Sequence, residues 1–277
     1  MSVTIQEYRP SPDLSPYIEY FWGGSFNTKS VKLFSQRVVP NGYVELIIHL
    51  SDLHCELLDS STFTSSPDFL LIGLYSLPYE VNFKGAVNVF GVRFKPEGFY
   101  QLFGIPVSEF SENYTDLESL SMHKFRDHCK VLREINDIKK LIFLTEQFFR
   151  KNFSRSKINL YYLNKAADLI RKSDGLITVD ELASKVFISK RQLEREFKQK
   201  VGMSPKSYMR LARLNKVNRI IKEGKEVELS DLAYICGYSD QAHFIRDFKK
   251  FTGEAPKVFI NELDEFIINP NSSEISK

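Results

Sequence analysis

The sequence predicts an α+β protein. An N-terminal β-rich domain of barrel or sandwich type, with some helices, precedes an all-α domain of two helix-turn-helix units joined by a long helix. Three observations predict it. Short runs of β-branched and aromatic residues recur at regular spacing over residues 14–95. From residue 155 onward the pattern is helical. Within that second half, one motif occurs twice. The chain has 277 residues, room for two domains, and its 43% hydrophobic and 26% charged composition is that of a soluble globular protein.

The strand runs are "YIEYFWGGSF", "YVELIIHL", "FLLIGLY" and "VNVFGVRF", with turn signals such as "PNG" and "FKG" around them. Such spacing points to antiparallel strands. After "RFKPEG" the pattern changes. "PEGFYQLFG" reads as a short helix with Pro96 near its start. Glu134–Asn152 sets Ile135, Ile138, Leu141, Ile142, Thr145, Phe148 and Phe149 at helical spacing, one wide apolar face. That face either covers the β domain or pairs with the same helix of a second subunit. Phe153–Lys157 is polar and basic and reads as a linker. The domains are therefore 1–154 and 155–261, with 262–277 as a flexible tail.

Charge separates the halves. Residues 1–154 hold 15 Lys+Arg against 18 Asp+Glu, residues 155–261 hold 22 against 13, and residues 262–277 hold 1 against 4. A basic excess confined to one segment points that segment at a polyanion. Cys55, Cys129 and Cys236 are too few and too scattered for a disulfide framework, which fits a reducing cytoplasm. "MSVTIQEYRP" lacks the basic and apolar regions of a signal peptide, and no run of 18 apolar residues suggests a membrane span. Residues 1–154 contain no nucleophile elbow and no phosphate loop, so an enzyme is not expected; the alternative is a DNA-targeted enzyme with a catalytic N-terminal domain. "HLSDLHC" offers His49, His54 and Cys55, but without the ligand spacing of a metal site, so neither metal nor cofactor is expected. Tyr17, Tyr20, Phe21 and Trp22 either line a pocket or pack the core.

The repeat pairs Leu182–Pro205 with Leu232–Pro256. Leu-Ala opens each copy; Arg195, Phe197, Lys198 and Gly202 match Arg246, Phe248, Lys249 and Gly253. The second copy carries one extra residue between its serine and the apolar Phe244. Thr178 with Glu181 and Ser189 with Gln192 are capping boxes, Ser230 and Ser239 are N-cap positions, and Gly237 sits in a turn. Small Ala183 and Ala233 let paired helices cross closely. Each copy is thus a helix-turn-helix. Between them Ser204 caps, Pro205 starts and Gly224 stops a helix of some 18 residues, about 27 Å long. Its face is Tyr208, Leu211, Leu214, Val217 and Ile221.

The second helix of each copy buries one stripe and presents the other face. On Ser189–Lys200 that face carries Lys190, Arg191, Gln192, Glu194, Arg195 and Lys198; on Asp240–Phe251 it carries Gln241, Ala242, His243, Arg246, Lys249 and Lys250. Arg can bind guanine, Gln adenine, Glu can accept from cytosine, and Ala242 can touch a thymine methyl. Lysines farther along reach phosphates. The plain alternative is a solvated basic surface. His243 shares its helix with no ligand set, and Asp247 one turn on reads as a helix-surface partner.

These residues resemble a known family. "LASKVFISKRQLEREFKQKVGMSP" and "GYSDQAHFIRDFKKFTGEAP", joined by "RLARLNKVNRII", resemble the DNA-binding domain of the AraC family of bacterial transcription regulators, over about residues 157–261. The resemblance implies two units in successive major grooves. It places base reading on Arg191, Glu194 and Arg195, and on Gln241, Ala242, His243 and Arg246. Phe187 stands where glycine is common, and Val217 where alanine is common. "LSPYIEYFW", "VPNGYVELIIHL" and "GVRFKPEGFYQLFGIP" are similar to the sensor or dimerisation domain of a subset of the family. Implied partners are double-stranded DNA, a small-molecule effector, a second copy through the N-terminal domain and, for an activator, RNA polymerase.

Overall fold

The structure, a computed structural model, describes residues 2–28, 34–59, 61–153, 160–223, 227–261, 263 and 266–267. The N-terminal domain runs β1 (Ser2–Tyr8), β2 (Ile18–Asn27), β3 (Phe34–Val38), β4 (Val44–His49), β5 (Glu56–Asp59), β6 (Thr62–Ser65), β7 (Phe69–Ile72), β8 (Tyr79–Phe83) and β9 (Ala86–Phe94). Then come α1 (Pro96–Phe103), the short strand β10 (Tyr114–Asp116), α2 (His123–Arg133) and α3 (Ile138–Phe153). The second domain is α4 (Tyr161–Lys172), α5 (Val179–Val186), α6 (Lys190–Lys200), α7 (Pro205–Lys222), α8 (Leu229–Ile235), α9 (Gln241–Thr252) and α10 (Pro256–Asn261). A two-residue strand, β11 (Phe266–Ile267), follows.

The strands form two separate sheets rather than one closed barrel. One has the order β1-β2-β9-β4-β7-β10, the other β11-β3-β8-β5-β6. All pairs are antiparallel except β11 with β3. The four runs legible in the sequence all fall in the first sheet, because its central strands are buried on both faces. On β9, Phe90, Val92 and Phe94 face the helices, while Val87 and Val89 face the second sheet. On β7, Phe69 and Leu71 take the helical side and Leu70 and Ile72 the other. A strand buried twice reads as a continuous apolar run, which is why "VNVFGVRF" and "FLLIGLY" stand out.

The helical layer departs from expectation at one boundary. The helix expected over Glu134–Asn152 begins only at Ile138, with Asp137 Oδ1 accepting from the Lys140 amide, and a helix the sequence reading did not anticipate, α2, precedes it. Leu141, Thr145 and Phe149 of α3 are buried in the domain's own core, so that face covers the sheet; Phe143 on the far side is exposed. Of the proposed linker, Phe153 ends α3 and the residues after it lie outside the described ones. Phe266, placed by the sequence in a flexible tail, is instead 6% exposed and paired to β3; residues 268–277 lie outside the described ones. No helix among the described residues is long and apolar enough to cross a membrane.

Trp22 shows how the sheet accommodates its largest side chain. It sits opposite Gly91 on β9, and a Cβ there would lie 2.0 Å from the indole ring. The open position lets the indole lie flat and donate from Nε1 to Glu45 Oε2 at 3.0 Å. Gly91→Ala should therefore lower unfolding stability by about 1–3 kcal/mol through overpacking, read as a lower denaturant midpoint with an unchanged slope. His49 on β4 is fully buried beside Cys55 and Ser66, its Nε2 3.5 Å from Cys55 Sγ and 3.2 Å from Ser66 Oγ. Burial, then the neighbouring His54, pushes its pKa from 6.5 down to about 4. A neutral His49 stabilises the fold fully above pH 6.5, and that contribution is lost as pH falls through about 4. The denaturation midpoint should drop across that window, and His49→Gln should flatten the profile.

Candidate DNA-reading site

The two units are built alike at the level of single hydrogen bonds. In the first, α5 is opened by a full capping box between Thr178 and Glu181, and closed by Phe187 at φ 58°. The Phe187 amide donates to the Ser184 carbonyl and the Ile188 amide to the Ala183 carbonyl. In the second, Gly237 at φ 73° takes the same place: its amide donates to Tyr234 and that of Tyr238 to Ala233. Ala183 and Ala233, both buried, carry the bonded carbonyls at the close crossing. Phe187 therefore holds a left-handed conformation that favours glycine. Its ring is 89% exposed, with the Lys165 ammonium 5.7 Å from its centre.

The second helices of the two units start one residue out of step. Ser189 caps α6 by accepting from the Gln192 amide, without the reciprocal bond of a capping box. The matching cap of α9 is Asp240, not Ser239: its carboxylate accepts from the His243 amide at 2.7 Å. The extra residue of the second copy is thus Ser239, in the turn, and Leu193 and Phe197 superpose in role on Phe244 and Phe248, all buried. Ser230 lies inside α8, which starts at Leu229 with Glu228 as its N-cap residue. Ser204 caps α7 and Pro205 begins it as expected, while Gly224 lies outside the described residues.

The structure places Lys190, Arg191, Gln192, Glu194, Arg195 and Lys198 on one exposed face of α6. Gln241, Ala242, Arg246 and Lys249 are exposed on α9, and His243 is half-buried. They differ in electrostatic state. Lys190 Nζ lies 3.1 Å from Asp180, and Arg195 Nη2 lies 3.1 Å from Glu196. Glu196 is held down to about 2 by hydrogen bonds, first from Lys200 and then from Tyr162 and Arg195. Arg191 and Arg246 form no ion pair among the described residues. His243 Nδ1 is 3.2 Å from Ser239 Oγ, and its ring stands edge-on to Tyr238 at 5.3 Å, so it is held locally. Burial raises the thiol pKa values of Cys55 and Cys129 and pushes that of Cys236 up to about 11, the opposite of an activated nucleophile.

Residues 182–262 match the family model described as a helix-turn-helix domain, and residues 6–116 match a domain of unknown function (DUF6597). Over 135 residues, 49% of the chain, it is 30% identical to the HTH-type transcriptional activator RhaS of Escherichia coli O1:K1 / APEC. The chain spans about half the length of that relative, 48%. The C-terminal region therefore carries a helix-turn-helix domain of the kind that family model describes. Among solved structures it is similar to ToxT from Vibrio cholerae O395, with 14% identity, a TM-score of 0.46, and 94% and 97% of the two chains covered. It is also similar to an AraC-type regulator from Chromobacterium violaceum, with 26% identity, a TM-score of 0.35, and 37% and 91% covered.

Two features of this chain were missed by sequence reasoning. Asp247 is not a surface partner of His243. It is 5% exposed and takes both Nε and Nη2 of Arg210, tying α9 to α7. The two residues lie 37 positions apart, beyond the reach of helical periodicity. The second is a cavity of about 90 Å³ between the two sheets, several water molecules' worth. Its walls are mostly apolar, Trp22, Val38, Cys55 and Tyr79 among them, with Asn41, Glu45 and Arg93 as polar members. Phe21 instead packs in the helical core. Glu45 accepts from Arg93 Nε at 2.6 Å and Asn41 Nδ2 at 3.2 Å, and Arg93 also donates to Glu7 at 2.8 Å. The Asn41 carbonyl accepts from Asn215 of α7 at 2.9 Å, so one turn touches both the cavity and the connecting helix.

Asp247→Ala would strand the Arg210 charge and should destabilise the second unit by about 2–3 kcal/mol. Calorimetry should show this as a lower-melting transition, and hydrogen exchange should place the loosening on α8 and α9.

Proposed function

We propose that this protein is a sequence-specific DNA-binding regulator of transcription, acting in the bacterial cytoplasm, with α6 and α9 as its two reading helices. The observation that carries this reading is the duplication of one unit in which the apolar stripe is buried and every predicted base-facing side chain but the half-buried His243 is exposed. A site of about 17–20 base pairs, two major-groove entries one helical turn apart, suits two such units. Arg191 and Arg246, without ion-pair partners among the described residues, are ready to bind guanine, whereas Lys190 and Arg195 must exchange Asp180 and Glu196 for DNA. Gln241, Ala242 and His243 of the second unit take the places of Lys190, Arg191 and Gln192 in the first, so the two helices read different bases. Lys198 and Lys249 contact phosphate.

In the N-terminal domain the cavity between the sheets is the seat of a small, largely apolar effector, held against the Glu45–Arg93 end. RNA polymerase and a second copy of the chain are partners in the same reading.

Fragments selected from genomic DNA by the intact protein should converge on one bipartite motif. Arg191→Ala and Arg246→Ala should each cost about 1–3 kcal/mol and relax specificity in separate halves of that motif. Lys249→Ala should weaken all sequences alike and reduce the salt slope by about 1. Unaltered footprints in the arginine variants would remove the groove assignment.

A further inference from the structure

The two DNA-reading units are held to the N-terminal domain by attachments of different kinds. The first is locked. Arg171 of α4 donates to Glu97, which is 1% exposed, and to Tyr208 Oη at 2.9 Å. At the end of α6 the chain comes so close to the N-terminal domain that a Cβ on Gly202 would stand 2.2 Å from Ser111 Oγ. Opening this contact would uncover a buried charge.

The second unit hangs on β3. Arg37 of β3 reaches Glu254, just past α9, at 2.8 Å, with the two side chains 34% and 31% exposed. Phe266 and Ile267 pair in parallel with Arg37 and Val38. The Arg37 guanidinium lies 5.6 Å over the Phe266 ring, Phe266 packs on Phe259 of α10 at 4.4 Å, and Phe259 on Phe248 of α9 at 5.0 Å. A partly exposed ion pair and a two-residue strand are weak holds. The strand they hold is also a wall of the cavity, through Val38.

We propose that β11 and the Arg37–Glu254 pair form a latch that restrains the second unit alone, and that displacement of β3 by an occupant of the cavity opens it. The idea rests on the reading of α9 as a DNA-binding helix. The held and released states differ by a few weak contacts, so an occupant with a modest preference for one state shifts the balance. Released, the second unit stays tied to α7 through Arg210 and Asp247 and adjusts to its own groove.

The test uses the full chain, hydrogen exchange and footprinting on DNA with both half-sites. Arg37→Glu should speed exchange in β3 and α10 about tenfold, with α4 and α6 unchanged. It should raise occupancy of the half-site read by α9 about threefold and leave the other half-site as it was. Arg37→Glu with Glu254→Arg should restore both. Phe266→Ala should act like Arg37→Glu, and so should Val38→Phe, which crowds the cavity with the ion pair in place. Loosening spread equally over α4 and α6, no recovery in the double variant, or an unchanged α9 half-site would overturn the latch. If the native chain protects no DNA, the DNA-binding reading falls. The latch then stands if exchange loosens in β3 and α10 and recovers in the double variant, and falls if it does not.

Discussion

Helix α7 has to satisfy three neighbours at once, and the rest of the molecule is arranged around that demand. Tyr208 receives Arg171 of the first unit, Arg210 holds Asp247 of the second, and Asn215 donates to Asn41 of the N-terminal domain. Its buried residues, Tyr208, Met209, Leu211, Leu214, Val217 and Asn218, are spread around the cylinder rather than along one stripe. Because one rigid helix serves all three, its length and its side-chain bonds set the spacing of α6 and α9. The bonds made by Arg171, Arg210 and Asn215 convert a sequence duplication into a defined geometry.

A second constraint comes from the N-terminal domain. Its main sheet is covered by helices on one face and by another sheet on the other. The helical face is filled with rings: Phe94 meets Phe99, Phe103 and Phe149 at 5.6–5.8 Å. The inter-sheet face is left with a cavity, ended by two carboxylates around one guanidinium. Burial raises the Glu7 pKa despite Arg93 beside it, a sign of how little water reaches this end. Polar groups so enclosed orient one another, which keeps Asn41 bound to Glu45 on one side and to α7 on the other.

Legibility followed burial and range. Strands buried twice were plain in the sequence, while β6, exposed at all four residues, and β3, mixed in polarity, were not. Helix α2 was passed over because only Phe125, Cys129 and Leu132 are buried among eleven mostly polar residues. The cap of α9 was misplaced by one residue because Ser239 and Asp240 are both good cap formers, and only the backbone settles which begins the helix. Asp247 looked like a surface acid because its partner Arg210 lies on another helix.

The two-domain division, the duplicated helix-turn-helix and the exposed face of the second helix in each unit were all readable along the chain. These depend on local periodicity, capping chemistry and the recurrence of one motif, all of which are written along the chain. Which cations are already paired, where the cavity lies, and that Phe266 returns to the edge of β3 emerge from the packed fold alone. Those outcomes are set by contacts between residues up to 229 positions apart, such as Phe266 with Arg37, for which no local pattern carries a signal.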